Sequence, residues 1–303
     1  MIARIFINFF KGTFIGIANV IPGVSGGTIA VITGVYEPLV GFFGTSLNRE
    51  WPGKFRNISP MLFPVMFGMF AGILLLANLI DSLFIVAPSQ IQFFFIGLIL
   101  GSAPYVAKQG SKNRFKISYL IVFLLAAALL IWMGIRAREM GDRSTLIDTQ
   151  NIIRTLTPLN AVLIISTGIL TSATMLMPGV SGAFVMVLIG MYATYIVMIE
   201  ELNFPIILTF LTGAIAGLFL CAKIISTLLN KFHGHSYYTI LGLMIGSISF
   251  LWPGLSLNIS GLASLIACLA GFLLAFFLSD GHKKPIQEPQ AETASNQTDG
   301  NGE

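Results

Sequence analysis

The sequence predicts an all-α integral membrane protein made of two inverted-topology repeats, each a broken or re-entrant helical hairpin plus three transmembrane helices. Three observations predict it. The 303 residues are 55% hydrophobic and only 10% charged, with a mean hydropathy of +0.85, far above a soluble domain of this size. Pro22-Gly23-Val24-Ser25-Gly26-Gly27 returns as Pro178-Gly179-Val180-Ser181-Gly182-Ala183, and 8 of the 15 positions from Pro22 to Tyr36 are identical to those from Pro178 to Tyr192. Both copies fall inside apolar sequence, where proline and glycine break a helix. Broken backbone at membrane depth is tolerated where protein buries it or it lines a wet cavity, and matched breaks in two halves point to a transporter site.

In chain order, an apolar run over 5–21 contains Asn8, Lys11 and Asn19 and is short and polar for a full span. It ends at the first motif, with Pro22 and Gly23 as the break. A second run over 28–45 completes a hairpin with the motif at its tip. The basic, apolar N-terminus lacks a small-residue cleavage site before Pro22 and reads as mature fold. Apolar segments follow at 61–86, 90–106 and 117–135, closing a first repeat over 1–135. Residues 136–158 form a polar connecting loop. The second repeat, 159–280, runs as 159–177, the break at Pro178 and Gly179, then 184–199, 204–229, 237–252 and 261–279. The polar stretch 281–303 buries too little apolar surface to order itself and reads as a disordered tail.

The duplication extends past the motif. Gly68-x-x-Ala71-Gly72 matches Gly213-x-x-Ala216-Gly217, and Gly97-Leu98-x-x-Gly101-Ser102 matches Gly242-Leu243-x-x-Gly246-Ser247. This spacing puts two small residues on one helix face, so helix packing is the reading preferred over a ligand role. A hairpin crosses zero times or twice, so each half crosses an odd number of times and the second must be inverted. With both termini placed in the cytoplasm, the N-terminal stretch (Arg4 and Lys11), the inside loops and the C-terminal tail together carry twelve Lys/Arg and the outside loops four, all in 136–158. The net charge of +4 therefore reflects topology and not nucleic-acid binding. Cys221 and Cys268 have no disulfide or metal spacing, and nothing in the sequence calls for a cofactor.

Three readings of the motif compete. A helix restarting at about Gly26 and Gly182 presents unpaired N–H groups and a positive dipole end to an anion. The backbone at Gly26, Gly27, Gly182 and Ala183, with hydroxyls from Ser25, Thr28 and Ser181, would then hold a phosphate. Alternatively, Gly23-Val24-Ser25-Gly26-Gly27 satisfies the Gly-x-Ser-x-Gly pattern of a serine hydrolase, as in an intramembrane protease. That chemistry needs a base, and His233, His235 and His282 all fall in loops or the tail. The third reading is a purely structural break. Lys223 is the basic residue at membrane depth and either neutralises an anionic head group or snorkels to the surface. Glu37 and Asp81 are candidates for coupling a proton or sodium, against plain solvation at helix ends. Asn19 and Thr174 precede the two breaks and either donate to a ligand or cap freed backbone.

The stretch Ala18-Asn19-Val20-Ile21-Pro22-Gly23-Val24-Ser25-Gly26-Gly27-Thr28 and its partner Met177-Pro178-Gly179-Val180-Ser181-Gly182 resemble the bacterial and archaeal polyprenyl-phosphate transporter family, long a membrane domain of unknown function. The resemblance spans residues 1 to about 280. It implies a non-enzymatic flippase in the bacterial or archaeal cytoplasmic membrane that returns undecaprenyl phosphate, the carrier lipid of cell-wall synthesis, from the outer to the inner leaflet. The second motif departs from the first at Ala183 and Phe184, where Gly27 and Thr28 stand, so the two tips are expected to contribute unequally.

Overall fold

The computed structural model describes residues 2–20, 25–45, 51–111, 116–139, 152–254, 256 and 258–280. The break residues Pro22 and Gly23, the side chain of Asp81 and the tail 281–303 lie outside the described residues. The described residues form twelve α-helices and no strand: α1 (Ile2–Val20), α2 (Gly26–Ile32), α3 (Tyr36–Thr45), α4 (Trp51–Val86), α5 (Pro88–Gly110), α6 (Ile117–Glu139), α7 (Pro158–Leu176), α8 (Gly182–Leu188), α9 (Tyr192–Glu200), α10 (Phe204–Lys231), α11 (His233–Leu251) and α12 (Ile259–Asp280). Helices α4, α5, α6, α7, α10 and α12 are long and apolar enough to cross a membrane, and there are up to eight spans if each bent pair counts as one. Large apolar side chains stay exposed along them, among them Leu124, Leu125 and Leu129 on α6 and Leu262, Ile266 and Leu269 on α12. Such a surface requires lipid and not water around it. The chain is a multi-pass membrane protein. Helix α11, expected as a span, falls outside the apolar set because its first turns carry His233, His235 and Ser236. It packs against α5 and α6 and so needs less apolar surface of its own.

Local sequence sets the helix starts. Pro88 and Pro158 open α5 and α7, where a missing N–H costs nothing. The Thr157 hydroxyl accepts from Asn160 N–H at 3.3 Å, and Asn258 Oδ1 accepts from Gly261 N–H at 2.9 Å at the head of α12.

The runs 28–45 and 184–199, each expected as one arm, are both bent. Helices α2 and α3 meet at 111°, α8 and α9 at 114°. The cause is the same in both halves. Gly34 and Gly190 take left-handed φ of 70° and 72°. Val35 N–H then reaches Ala30 C=O and Gly34 N–H reaches Val31 C=O, while Met191 and Gly190 repeat this onto Met186 and Val187. These are Schellman terminations, which pair the last carbonyls of a two-turn helix and send the chain off sideways.

Glycines set the long contacts. Gly12 and Gly16 of α1 face the Val65 and Met69 carbonyls of α4, and Gly68 and Gly72 answer from α4. Gly213 and Gly217 of α10 face Ile165 and Ile169 of α7 in the same way. Gly97 and Gly101 of α5 meet Cys268 and Phe272 of α12, while Gly242 and Gly246 of α11 meet Phe123 and Ala127 of α6. Residue numbers rise together across all four seams, so each pair runs parallel. The expected packing role of these glycines holds: close backbone approach replaces the hydrophobic drive that lipid removes. Across the middle of the molecule α5 runs antiparallel to α11, with Phe93 at Trp252 and Gln109 at His233.

A side chain at these seams must collide. Gly213→Val places a Cβ against the Ile165 carbonyl, whereas the Cβ of Gly41→Ala on α3 meets nothing within 4 Å. Overpacking costs about 1–3 kcal/mol, and an alanine for glycine in an open helix gains roughly 1 kcal/mol. Thermal unfolding in detergent should show Gly213→Val melting well below wild type and Gly41→Ala at or above it.

Candidate functional site

The site grows from the two places where the backbone is broken. Helix α2 starts at Gly26, as expected, one residue after Ser25 in extended conformation. Its first N–H is already used: Gly26 N–H donates to Asn19 Oδ1 at 3.1 Å, and Asn19 Nδ2 faces Met69 Sδ at 4.0 Å. Of the two roles open to Asn19, the structure displays the cap. Thr174 likewise turns inward and bonds the carbonyls of Leu170 and Thr171 in its own helix. At the second tip Met175 stands where the motif match puts Asn19, and it has no oxygen to offer Gly182. The inequality of the tips therefore begins before the motifs themselves.

The second break is a turn in which Val180 N–H donates to Met177 C=O at 3.2 Å and Gly179 holds φ +87°. A side chain at Gly179 would strike the Leu243 carbonyl at 2.5 Å and Leu130 Cδ1 at 3.3 Å. Leu243 and Leu130 sit near the midpoints of α11 and α6, so this tip lies halfway along both helices.

The structure brings the two tips together. Ser25 Oγ lies 3.5 Å from the Met177 carbonyl oxygen, across 152 residues of sequence. A Cβ on Gly27 would lie 3.1 Å from Met175 O and 3.4 Å from Pro178 Cα. Ser25, Gly26, Gly27 and Thr28 are all buried here, as are Pro178, Gly179 and Gly182; Ser181 and Ala183 are half-buried. Thr28 is 1% exposed, and its hydroxyl has no hydrogen-bond partner. The hydroxyl of Thr171, whose methyl lies against Gly182, is also buried without a partner. Threonines elsewhere in these helices bond the carbonyl four residues back, as Thr13, Thr33, Thr45, Thr167 and Thr227 do. Two unpaired hydroxyls beside the tips are therefore an exception located at the motif. Thr171 lies outside the repeated motif, so pattern reading missed it.

The charged candidates lie elsewhere. Lys223 is exposed on α10 and Glu37 is exposed in the first turn of α3. The histidine base required for a serine hydrolase is also distant among the described residues. His233 Nε2 pairs with the Gln109 carbonyl and His235 Nε2 with Ser118 Oγ, both at 3.1 Å. Gly179 meets α11 at Leu243, ten residues past His233 and eight past His235, about 15 and about 12 Å along the helix.

This paired, buried, uncharged junction agrees with sequence comparison, in which residues 15–264 match the family model described as VCA0040-like: undecaprenyl phosphate translocase-like. The chain belongs to that family. Two relatives are named polyprenyl-phosphate transporter. The one from Vibrio cholerae serotype O1 is 33% identical over 254 residues, covering 81% of this chain and 77% of its own. The one from Staphylococcus aureus is 33% identical over 284 residues, covering 90% of this chain and 95% of its own. No solved structure matches significantly. The translocase-like family match takes in both tips and runs from the end of α1 to the first turns of α12.

Stability separates the polar groups at the junction. A buried hydroxyl without a partner costs about 1–3 kcal/mol, while a made hydrogen bond contributes about 0.5–1.5 kcal/mol. Thr28→Val and Thr171→Val should therefore unfold at or above the wild-type temperature, and Asn19→Ala below it. A clear fall for both valine variants would mean that those hydroxyls are paired after all.

Proposed function

We propose that this protein translocates polyprenyl phosphate, undecaprenyl phosphate in particular, from the outer to the cytoplasmic leaflet of a bacterial or archaeal cytoplasmic membrane, so that the carrier lipid re-enters envelope synthesis. The observation that carries the reading is the meeting of the two tips, Ser25 and Gly27 against Met175, Met177 and Pro178. The names of the family and of the two relatives support the substrate class.

The chemistry suits the task. A phosphate crossing hydrocarbon needs its charge solvated, yet it must be released on either side. Hydroxyls of Ser25, Thr28 and Ser181, with N–H groups at Gly27, Gly182 and Ala183, offer neutral donors. A fixed countercharge would bind more tightly and release more slowly. The prenyl tail remains among the lipids along the exposed apolar faces. Lys223, exposed on α10, fits a role at the head group's approach better than one at the junction.

An inverted arrangement of residues 1–135 and 159–280, with both termini cytoplasmic, is part of the proposal. Its support is directional. Helix α5 runs opposite to its counterpart α11, and α5 runs parallel to α12 while α11 runs parallel to α6. Two halves of opposite sense would offer the same tips to either side.

Reconstitution into liposomes carrying labelled polyprenyl phosphate in one leaflet tests the function. Wild type should equilibrate the label. Ser25→Ala and Ser181→Ala each lose one bond to a charged group, about 1.5–3 kcal/mol, and should slow transport roughly ten- to a hundred-fold. Monodisperse Gly182→Val, which blocks close approach, should not transport. Wild-type rates in all three variants would remove the tips from the pathway, and covalent labelling of Ser25 by a fluorophosphonate would favour a hydrolase instead.

A further inference from the structure

Four helix pairs are joined through glycine seams in which one backbone lies on another: α1 with α4, α7 with α10, α5 with α12 and α6 with α11. The contact between α5 and α11 is built differently. A Cβ on Gly110, which faces across it, would meet first the side chains of Tyr237 and Tyr238. Polar and aromatic groups gather at this end. The Gln109 carbonyl is 3.1 Å from His233 Nε2, and Ser111 Oγ is 2.7 Å from Tyr238 Oη. The start of α6 adds Ser118 Oγ at 3.1 Å from His235 Nε2, and the Tyr119 ring stacks on Tyr238 with centroids 5.3 Å apart. At the far end of the same contact, Phe93 meets Trp252 at 5.5 Å.

Three features make this cluster more than helix-end packing. Side-chain hydrogen bonds exchange with water at small net cost, whereas parting a glycine seam gives up a whole line of close contacts. Among the extended contacts of α5 and α11, the one that can part without breaking a glycine seam is therefore α5 against α11. In addition, the Tyr237 hydroxyl is buried without a partner, with its ring 4.7 Å from His233. The closed arrangement thus leaves a donor unpaired that opening would satisfy. The cluster also lies on the route from the tips: Tyr238 is five residues before Leu243, which backs Gly179, so it stands about 7.5 Å along α11 from that level.

We propose that His233, His235, Tyr237 and Tyr238, with Gln109, Ser111, Ser118 and Tyr119, form a gate that closes one side of the tip junction. The α5/α11 joint opens while the glycine-seamed pairs move as units. By the loop charges the gate is on the cytoplasmic side. This inference rests on the transporter reading.

A disulfide tests it. In a background lacking Cys221 and Cys268, Gly110→Cys/Tyr237→Cys puts a cysteine Cβ 2.9 Å from the Tyr237 Cβ position, close enough to bridge with a small adjustment. Gly134→Cys/Ser249→Cys, whose Cβ positions are also 2.9 Å apart, bridges α6 to α11 and serves as control, since the atom nearest the added Gly134 Cβ is the Ser249 hydroxyl that the substitution replaces. Oxidation should stop polyprenyl-phosphate transport by the first pair and reductant should restore it, while the oxidised control should keep transporting. Undiminished transport by the oxidised first pair overturns the gate. A second measurement is independent of transport and of the variant's folding. Spin labels on Lys108→Cys and Phe232→Cys, in liposomes, should report two distance populations across the joint. A single narrow distance would overturn the gate even if transport is confirmed, and two populations without transport would count against the substrate alone.

Discussion

A peptide group without a hydrogen-bond partner in hydrocarbon costs several kcal/mol, and among the described residues this protein interrupts its helices at Ser25 and again at Gly179, level with the midpoints of α6 and α11. Its architecture answers that cost. At the first tip Asn19 takes the Gly26 N–H, and the Schellman turns at Gly34 and Gly190 pair the carbonyls that end α2 and α8. At the second tip the turn at Gly179 is held against the Leu243 carbonyl in the midst of α11. Burial by α6, α11 and the opposite tip makes the irregular backbone affordable. Beside the tips the hydroxyls of Thr28 and Thr171 remain unpaired, and on the proposed reading a ligand would complete the set.

The glycine seams do a different job. Lipid is as apolar as leucine, so helices gain little by burying leucines against each other, and close backbone approach must supply the cohesion. Gly12, Gly16, Gly68 and Gly72 do this for α1 and α4, and Gly97, Gly101 and Gly271 for α5 and α12. Cohesion is thereby concentrated within pairs. Between α5 and α11 it passes to side chains, which makes that contact the natural place for motion. Two pairings also cross the chain: α5 seams with α12 and α6 with α11, so neither half of the sequence could complete its packing alone.

Much of this was legible in the sequence, for identifiable reasons. Proline and glycine within apolar runs located the breaks, and the helix starts at Gly26 and Gly182 follow from them. The Gly-x-x-x-Gly spacings foretold seams but not partners, because small-residue spacing carries no address. The bends at Gly34 and Gly190 went unread, although both glycines are among the identities shared by the two copies. Hydropathy alone cannot separate one bent arm from a straight one. Asn19 was ambiguous until a partner came within reach. Thr171 and the Tyr237–Tyr238 cluster could not be found by pattern, since their significance depends on what lies across from them in space.

The central claim is that the two tips, brought together from distant parts of the chain, hold the phosphate of a prenyl lipid. The most direct measurement is an experimental structure determined in lipid with polyprenyl phosphate bound. The account predicts phosphate density at the junction, with oxygens at hydrogen-bond distance, about 2.7–3.2 Å, from Ser25, Thr28 or Ser181. An ordered phosphate beside Lys223 or elsewhere, with the junction still closed on itself as Ser25 is on Met177, would contradict it.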